Sequence, residues 1–427
     1  MQFTKQQKII LGIAGFIVLF FLLVLLGVIP GLRKNAAPTD LTIWGVGDSN
    51  GVWTNTIKNY EATHPNVAIT YTEINQSNYE ATLINALAAG NGPDMFMFNN
   101  AWLPKNGDKI IPAPASLMST STFADLFPQV ASQDFVSSSS IYAMPLSVDT
   151  LALIYNKSIF NQSGVAIPPT TWKQFDNVVL QTRRKTYGIL TGPAVALGGT
   201  LSSMTNATDI MNLLFLQEGT QMVSTYTGQE TFSSVAGQAA LAFYTQFSNP
   251  SSAYYTWKDS YGSALDSFAQ GRSAMFIGYA SQIPEIEAEN PNLNIGVSTM
   301  PQFSLSDQIN YPNYWGLAVS KQSKDPADAW NFISFITTDP TTASSYATAS
   351  GRPPALRSLI AQYENDPVLG PYSLQALTAE DWSQPDSDAV STIFNNMIES
   401  VLNKSASVGQ ALQTAELSVN NLETPQQ

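Results

Sequence analysis

LINALAAGNGPDMFMFNNAWLP, residues 83–104, is the stretch on which the reading of this chain turns. Leu83, Ile84 and Leu87 recur at helical spacing, and Gly90 supplies a helix stop. Asn-Gly-Pro-Asp turns the chain. The unbroken apolar run Met95, Phe96, Met97, Phe98 then reads as a strand buried on both faces, as in a parallel sheet covered by helices. It halts at Asn99, Asn100 and Trp102. Two amides and an indole lie just past the carboxyl end of a strand, where open α/β sheets bind their ligands.

Working outward, LTIW (41–44) predicts a short strand, and Trp53, Ile57 and Tyr60 share one face of a helix beginning near Gly51. HPN breaks that helix, and VAITYTEI predicts a second strand. In SNYE, Ser77 can cap the next helix, with Glu80 three residues on as a capping box. The order is β-α-β-α-β, a parallel sheet with helices on both faces. Gly47 and Asp48 then fall past the first strand, on the same side as Asn99, Asn100 and Trp102. Alone, either asparagine could equally cap a turn; with Asp48 the group points to a site.

A second α/β block follows. TLALIYN, TYGIL, SAMFIG, LNIGVSTM and YWGLAVS predict strands. Trp172, Phe175 and Val179 align on one helix, Asp325 and Pro326 open another, and the tail from Asp388 is helical. The chain has 427 residues, too many for one ordinary core, so two domains are expected. Trp53, Trp172 and Trp330 sit at core spacing. Trp102, Trp315 and Trp382 stand beside turn residues, where a ring can stack on the CH face of a sugar.

Composition excludes several chemistries. There is no cysteine, hence no disulfide, thiol nucleophile or thiolate metal site. His64 is the only histidine, in a helix-to-strand turn, so a multi-His metal site is impossible and a Ser-His-Asp triad is disfavoured. Neither a P-loop nor G-x-G-x-x-G occurs. Carboxylates are plentiful, but no spacing singles out a glycosidase pair. No cofactor and no metal are expected. Beyond residue 38 the chain holds 15 basic and 32 acidic residues, net −17, which repels nucleic acid.

Residues 9–29 carry no charge and would form a helix of about 30 Å, enough to cross a bilayer. A cleaved signal peptide is the alternative. Its apolar core would be shorter, and the best cleavage site, Asn35-Ala36-Ala37, is poor. The segment is read as a retained anchor. Two basic residues on each side leave orientation unset by charge.

In this order, LTIWG, YEATHPNVAITYTEI, LINALAAGNGPDMFMFNNAWLP, YAMPLSVDTLALIYNKSIFNQSGVAIPPTTWKQF, FAQGRSAMFIGYASQIPEI, YWGLAVSKQSKDPADAWNFISFI and ASGRPPAL resemble the extracellular solute-binding proteins of the maltose-binding type (family 1), receptors of ABC sugar importers. The resemblance runs from about Asp40 to the C-terminus. It implies a two-lobed α/β fold of the periplasmic-binding-protein kind (type II), each lobe a sheet flanked by helices, here with an N-terminal transmembrane helix. The expected division is 1–38 anchor and linker, 39–148 first lobe, 149–310 second lobe, 311–350 first lobe again, and 351–427 second lobe. By the same resemblance Asp149 holds the acidic position between lobes that bonds sugar hydroxyls. Asp48, Asn99, Asn100 and Trp102 face the ligand, Tyr279 and Ser281 enter the cleft, and Trp315 and Arg352 follow the later crossings. Trp382 completes the candidate set through its place beside turn residues. The implied function is a non-enzymatic receptor on the extracytoplasmic side of the cell membrane, tethered by one helix. It would pass a sugar or oligosaccharide to an ABC permease. A surface carbohydrate-active enzyme, or a sensor on the same scaffold, is the alternative.

Overall fold

The computed structural model describes residues 4–25 and 38–422. Strand β1 (Thr39–Gly45) pairs in parallel with β2 (Val67–Glu73) on one side and β3 (Met95–Asn99) on the other. Helices α2 (Asn50–Thr63) and α3 (Tyr79–Ala88) make the crossovers, and α1 is the N-terminal helix Lys5–Leu25. This is the β-α-β-α-β unit expected from the periodicity. Met95 to Phe98 are at most 1 % exposed, as a strand covered on both faces requires.

The strand Trp315–Ser320 returns antiparallel to β3, with Trp315 opposite Asn99. That register places the Trp315 ring beside Asn99, Asn100 and Trp102, over two hundred residues away in sequence. The short strands Ile110–Ile111 and Met144–Pro145 complete this six-stranded sheet. The second sheet has Ala152–Asn156 in its centre, flanked antiparallel by Met275–Gly278 and Ile295–Ser298. Helices including Ala207–Gln217, Ser387–Leu402 and Val408–Asn420 pack around it.

There are two apolar cores, one for each sheet. Val148 belongs to the first and Leu151 to the second; Tyr311 belongs to the second and Tyr314 to the first. The crossing segments run side by side: the Leu151 N–H donates to the Tyr311 carbonyl at 3.0 Å, and the Asn310 N–H to the Thr378 carbonyl at 3.1 Å. Beyond residue 351 the chain contributes to both cores: Ala355, Leu356, Leu359, Ile360, Ala376 and Ala379 pack in the first, Tyr372 packs in the second, and from Trp382 onward the buried apolar residues belong to the second. Gly351 ends the helix Pro340–Ser350, in the left-handed conformation at φ +67°.

Ser77 is not the cap of α3. The Asn75 side chain accepts from the Ser77 N–H at 3.0 Å and starts a 3-10 turn, and Glu80 turns to Lys105 and Asn106. Among the described residues no helix is long and apolar enough to cross a membrane. The last part of the predicted span, 26–29, lies outside the described residues.

Candidate ligand site

The first turn of α3, the loop after β3 and the start of the strand Trp315–Ser320 converge on one edge of the first sheet. They wall a cavity of about 600 Å³. Trp102 stacks on Tyr79 with centroids 5.9 Å apart, and Trp315 stands edge-on to both, at 5.4 and 5.6 Å. Trp102 is only 6 % exposed because Phe98 backs it from the core. The opposite wall comes from the second core: Thr208, Asp209 and Asn212 on the helix Ala207–Gln217, Thr205 just before it, and Asp388 and Ser391 on the helix Ser387–Leu402. A second cavity of about 710 Å³ adjoins the first, and Gln76, Ser77, Thr205, Asp209, Asn313 and Trp315 line both.

Asn99 lines the first cavity. Its oxygen accepts from the Ala101 N–H at 3.1 Å and its amide donates to Asn313 at 3.2 Å. It caps the turn and lines the cavity at once. Asn100 is more committed. Its oxygen accepts from the Tyr314 N–H at 3.2 Å and its amide donates to Asp381 at 2.9 Å.

Tyr279 and Ser281 line the second cavity, with the Tyr279 hydroxyl donating to Asp209 at 2.7 Å. Arg352 also reaches that cavity, yet its guanidinium pairs with Asp48 at 3.1 Å and donates to the Gly47 carbonyl at 3.2 Å. Asp48 itself lines neither cavity. It is 1 % exposed and accepts from the Tyr346 hydroxyl at 2.6 Å, so its carboxylate fixes Arg352 and Tyr346. Trp382 is also displaced. It packs in the second core, donates to Asn212 at 2.8 Å and borders a third cavity, of about 500 Å³.

Asp149 differs from expectation in its surroundings. It touches the second cavity but is 3 % exposed and does not face open solvent. Its two oxygens accept from the Thr150, Ala280 and Ser281 N–H groups at 3.0, 3.1 and 3.1 Å. It thus holds the turn at Ala280 against the first crossing. Burial pushes its carboxyl up to about 6, although the Ser281 and Ala280 N–H groups and Arg352 pull the other way.

Sequence reading missed Asp209, Asn313 and Tyr79. Asp209 sits where the two cavities meet, accepting from Tyr279 and, at 3.3 Å, from Asn313. Burial raises its pKa above the ordinary carboxylate value. In sequence it is only an acid in the first turn of a helix, a place acids favour for the helix dipole alone. Tyr79 was hidden inside the apparent capping box.

Two carboxyl pairs border the cavities. Glu80 and Asp388 line the first together; Lys105 bridges Glu80 and Asp386 at 3.1 Å each. Asp134 and Asp381 line the third, where Asp134 also accepts from the Tyr314 hydroxyl. Burial pushes the Asp381 carboxyl up to about 6, and burial with the neighbouring Asp381 charge pushes Asp134 well above the carboxylate range.

The pattern of the bacterial extracellular solute-binding proteins matches residues 47–343. A maltotriose-binding protein of Pyrococcus abyssi is 22 % identical over 329 residues, 73 % of this chain and 65 % of that protein. The chain therefore spans just under two thirds of that relative's length. A multiple sugar-binding protein of Streptococcus mutans is 20 % identical over 73 % of each chain. The solved cyclic alpha-maltosyl-1,6-maltose binding protein of Arthrobacter globiformis has the same fold. Its TM-score is 0.76 at 20 % identity, covering 90 % of this chain and 99 % of that one. With a TM-score of 0.72 and 22 % identity, so does an ABC transporter solute-binding protein of Thermotoga lettingae bound with alpha-D-tagatose, over 90 % of this chain and 99 % of that one. A two-lobed α/β fold, a polar cavity floored by aromatic rings and a family match over most of the chain agree, and the chain belongs to the bacterial extracellular solute-binding protein family.

Proposed function

We propose that this protein is a receptor that captures a carbohydrate between its two lobes and hands it to an ABC permease. The observation that carries the reading is the cavity itself. One wall offers the rings of Tyr79, Trp102 and Trp315, and the other offers hydroxyls, amides and Asp209. Sugars present CH faces to rings and hydroxyls to such acceptors and donors. A hexose takes the space of about six waters, roughly 180 Å³. The adjoining cavities accommodate an oligosaccharide as well as a single sugar. Asn99, Trp102, Tyr279, Ser281 and Trp315 remain the ligand-facing set from sequence, joined by Tyr79, Asp209 and Asn313. Asp149, Asn100 and Arg352 position the walls.

The lobes divide at residues 148–151 and 311–314, and the segment 351–382 runs along both cores before the tail settles in the second. The N-terminus is a retained membrane anchor with the binding domain on the extracytoplasmic side. Ile13, Phe16, Ile17, Val18, Leu19, Phe20 and Phe21 of α1 are all at least 42 % exposed. An apolar surface on every side suits lipid better than water. Protein from cells should therefore sediment with membranes and retain Lys5; an N-terminus at Ala36 or Ala37 would refute the anchor.

Calorimetry against an oligosaccharide panel tests the receptor. Saturable binding with the sugar unchanged is expected, and a smaller radius of gyration in solution scattering at saturation. Turnover of a panel member would make the protein a carbohydrate-active enzyme instead.

A further inference from the structure

The second lobe carries a protruding hairpin that sugar binding does not use. Strands Arg184–Thr186 and Ile189–Gly192 pair antiparallel around a two-residue turn, Tyr187–Gly188, at φ +52° and +82°. A turn of this kind suits Asn-Gly. A bulky tyrosine at positive φ is strained there, and its ring packs on nothing: Tyr187 is 101 % exposed and Ile189 70 %.

Behind this apolar tip lies a ring of cations. Arg184 and Lys185 are exposed on the first strand. Arg184 donates to the Arg272 carbonyl at 3.2 Å, and Arg183 to the Tyr255 carbonyl at 2.9 Å. Tyr261 donates to the Leu190 carbonyl at 3.3 Å, with Lys258 4.8 Å above its ring. Arg183, Arg184 and Lys185 thus lie at the start of the hairpin, and Lys258 and Arg272 lie on segments that contact it. These five are a third of the 15 basic residues of a domain whose net charge is −17. Among the described residues none of the five has a carboxylate within ion-pair distance. The adjacent Asp259 is turned inward, accepting from Thr200 and Ser203. Asp266 is an exposed acid close by in sequence.

We propose that this hairpin is a contact element for an anionic lipid surface. Tyr187 and Ile189 enter the headgroup layer while the five cations face lipid phosphates. An aromatic tip backed by basic residues is the composition of an interfacial anchor. A two-residue tip is too small for the ~800 Å² that each partner of a stable protein complex buries. Lipid needs only insertion and charge. Binding does not depend on the N-terminal anchor, which would add only proximity.

The absence of cysteine makes the test clean. The full chain carrying Thr186→Cys, labelled with an environment-sensitive fluorophore, is added to phosphatidylcholine vesicles with and without phosphatidylglycerol. A blue shift, quenched by headgroup spin-labelled lipid, is expected only with phosphatidylglycerol and should vanish in high salt. A label at Tyr226→Cys, exposed elsewhere, should stay unshifted. Arg184→Gln with Lys185→Gln should weaken the response about 25-fold, taking roughly a fivefold factor per cation near the surface. Melting curves confirm that the variants fold. No shift at residue 186, the same shift in both vesicle types, or a shift that appears only with a permease present would overturn the proposal.

Discussion

The two walls of the cavity are made of different materials. On the first lobe, Tyr79, Trp102 and Trp315 form a cluster of rings rooted in the core through Phe98. Facing them, Asp209 stands on the first turn of a second-lobe helix, with Thr205 just before it, Asn212 one turn on, and Ser391 on the second turn of another helix. The ring wall is continuous with what folds the lobe. The polar wall is carried on helices of the second lobe and joins its core at single hydrogen bonds, such as the one Asn212 accepts from Trp382. Under the proposed function, contact area comes from one lobe and orientation from the other, so a ligand gains both only when it touches the two.

The sharpest way to break this contrast is Trp102→Ala. A nearly buried indole removed from a packed cluster costs about 3–5 kcal/mol, so denaturant unfolding should show a large loss of stability before any ligand is added. A variant as stable as wild type would mean the ring wall is as dispensable as the polar one.

Asp149 asks what holds the walls in register. Its native pKa of about 6 lies above the unfolded value near 3.9. Below 3.9 both states carry the proton. As pH rises from there to 6 the unfolded chain ionises first, so this residue destabilises the fold progressively, by about 3 kcal/mol in all. Asp149→Asn should lose one N–H acceptor at every pH but flatten that slope. Melting temperatures from pH 4 to 7 for both proteins check it, and parallel profiles would contradict it.

Asp209→Asn sharpens the contrast from the polar side. Affinity for a confirmed sugar should fall roughly ten- to a hundredfold, from the 1.5–3 kcal/mol of a hydrogen bond to a charged group. Stability should barely move, since an amide oxygen still accepts from Tyr279. Smallest is Trp315→Ala, whose half-buried ring should contribute a two- to tenfold factor in affinity, about 0.5–1.5 kcal/mol. Calorimetry on both variants, with melting curves alongside, separates the walls.

The parallel unit around β3 was legible because apolar periodicity and turn residues agree over residues 41–104. That Asn99 and Trp102 border a cavity was legible for a related reason: a strand that stops in polar residues at its carboxyl end announces a rim. Asp48 and Asp149 show where this logic fails. A carboxylate after a strand looks the same in sequence whether it meets a ligand or holds Arg352, three hundred residues away, or the turn at Ala280. Asp209 fails in the opposite sense, because a first-turn acid already has a local explanation. Rims follow from local pattern; the partner of a polar group follows from long-range packing.

The Asp134–Asp381 pair ties the proposed closure to proton exchange. Asp134 lies on a helix whose neighbours pack in the first core, and Asp381 lies one residue before Trp382 enters the second core. A movement that parts the two carboxyls removes the charge repulsion that helps raise Asp134, so its proton affinity falls and protons pass to the buffer. Heat measured for such a movement would then contain the buffer's own enthalpy of protonation. Titrations in phosphate and in Tris should disagree for wild type and converge for Asp381→Asn.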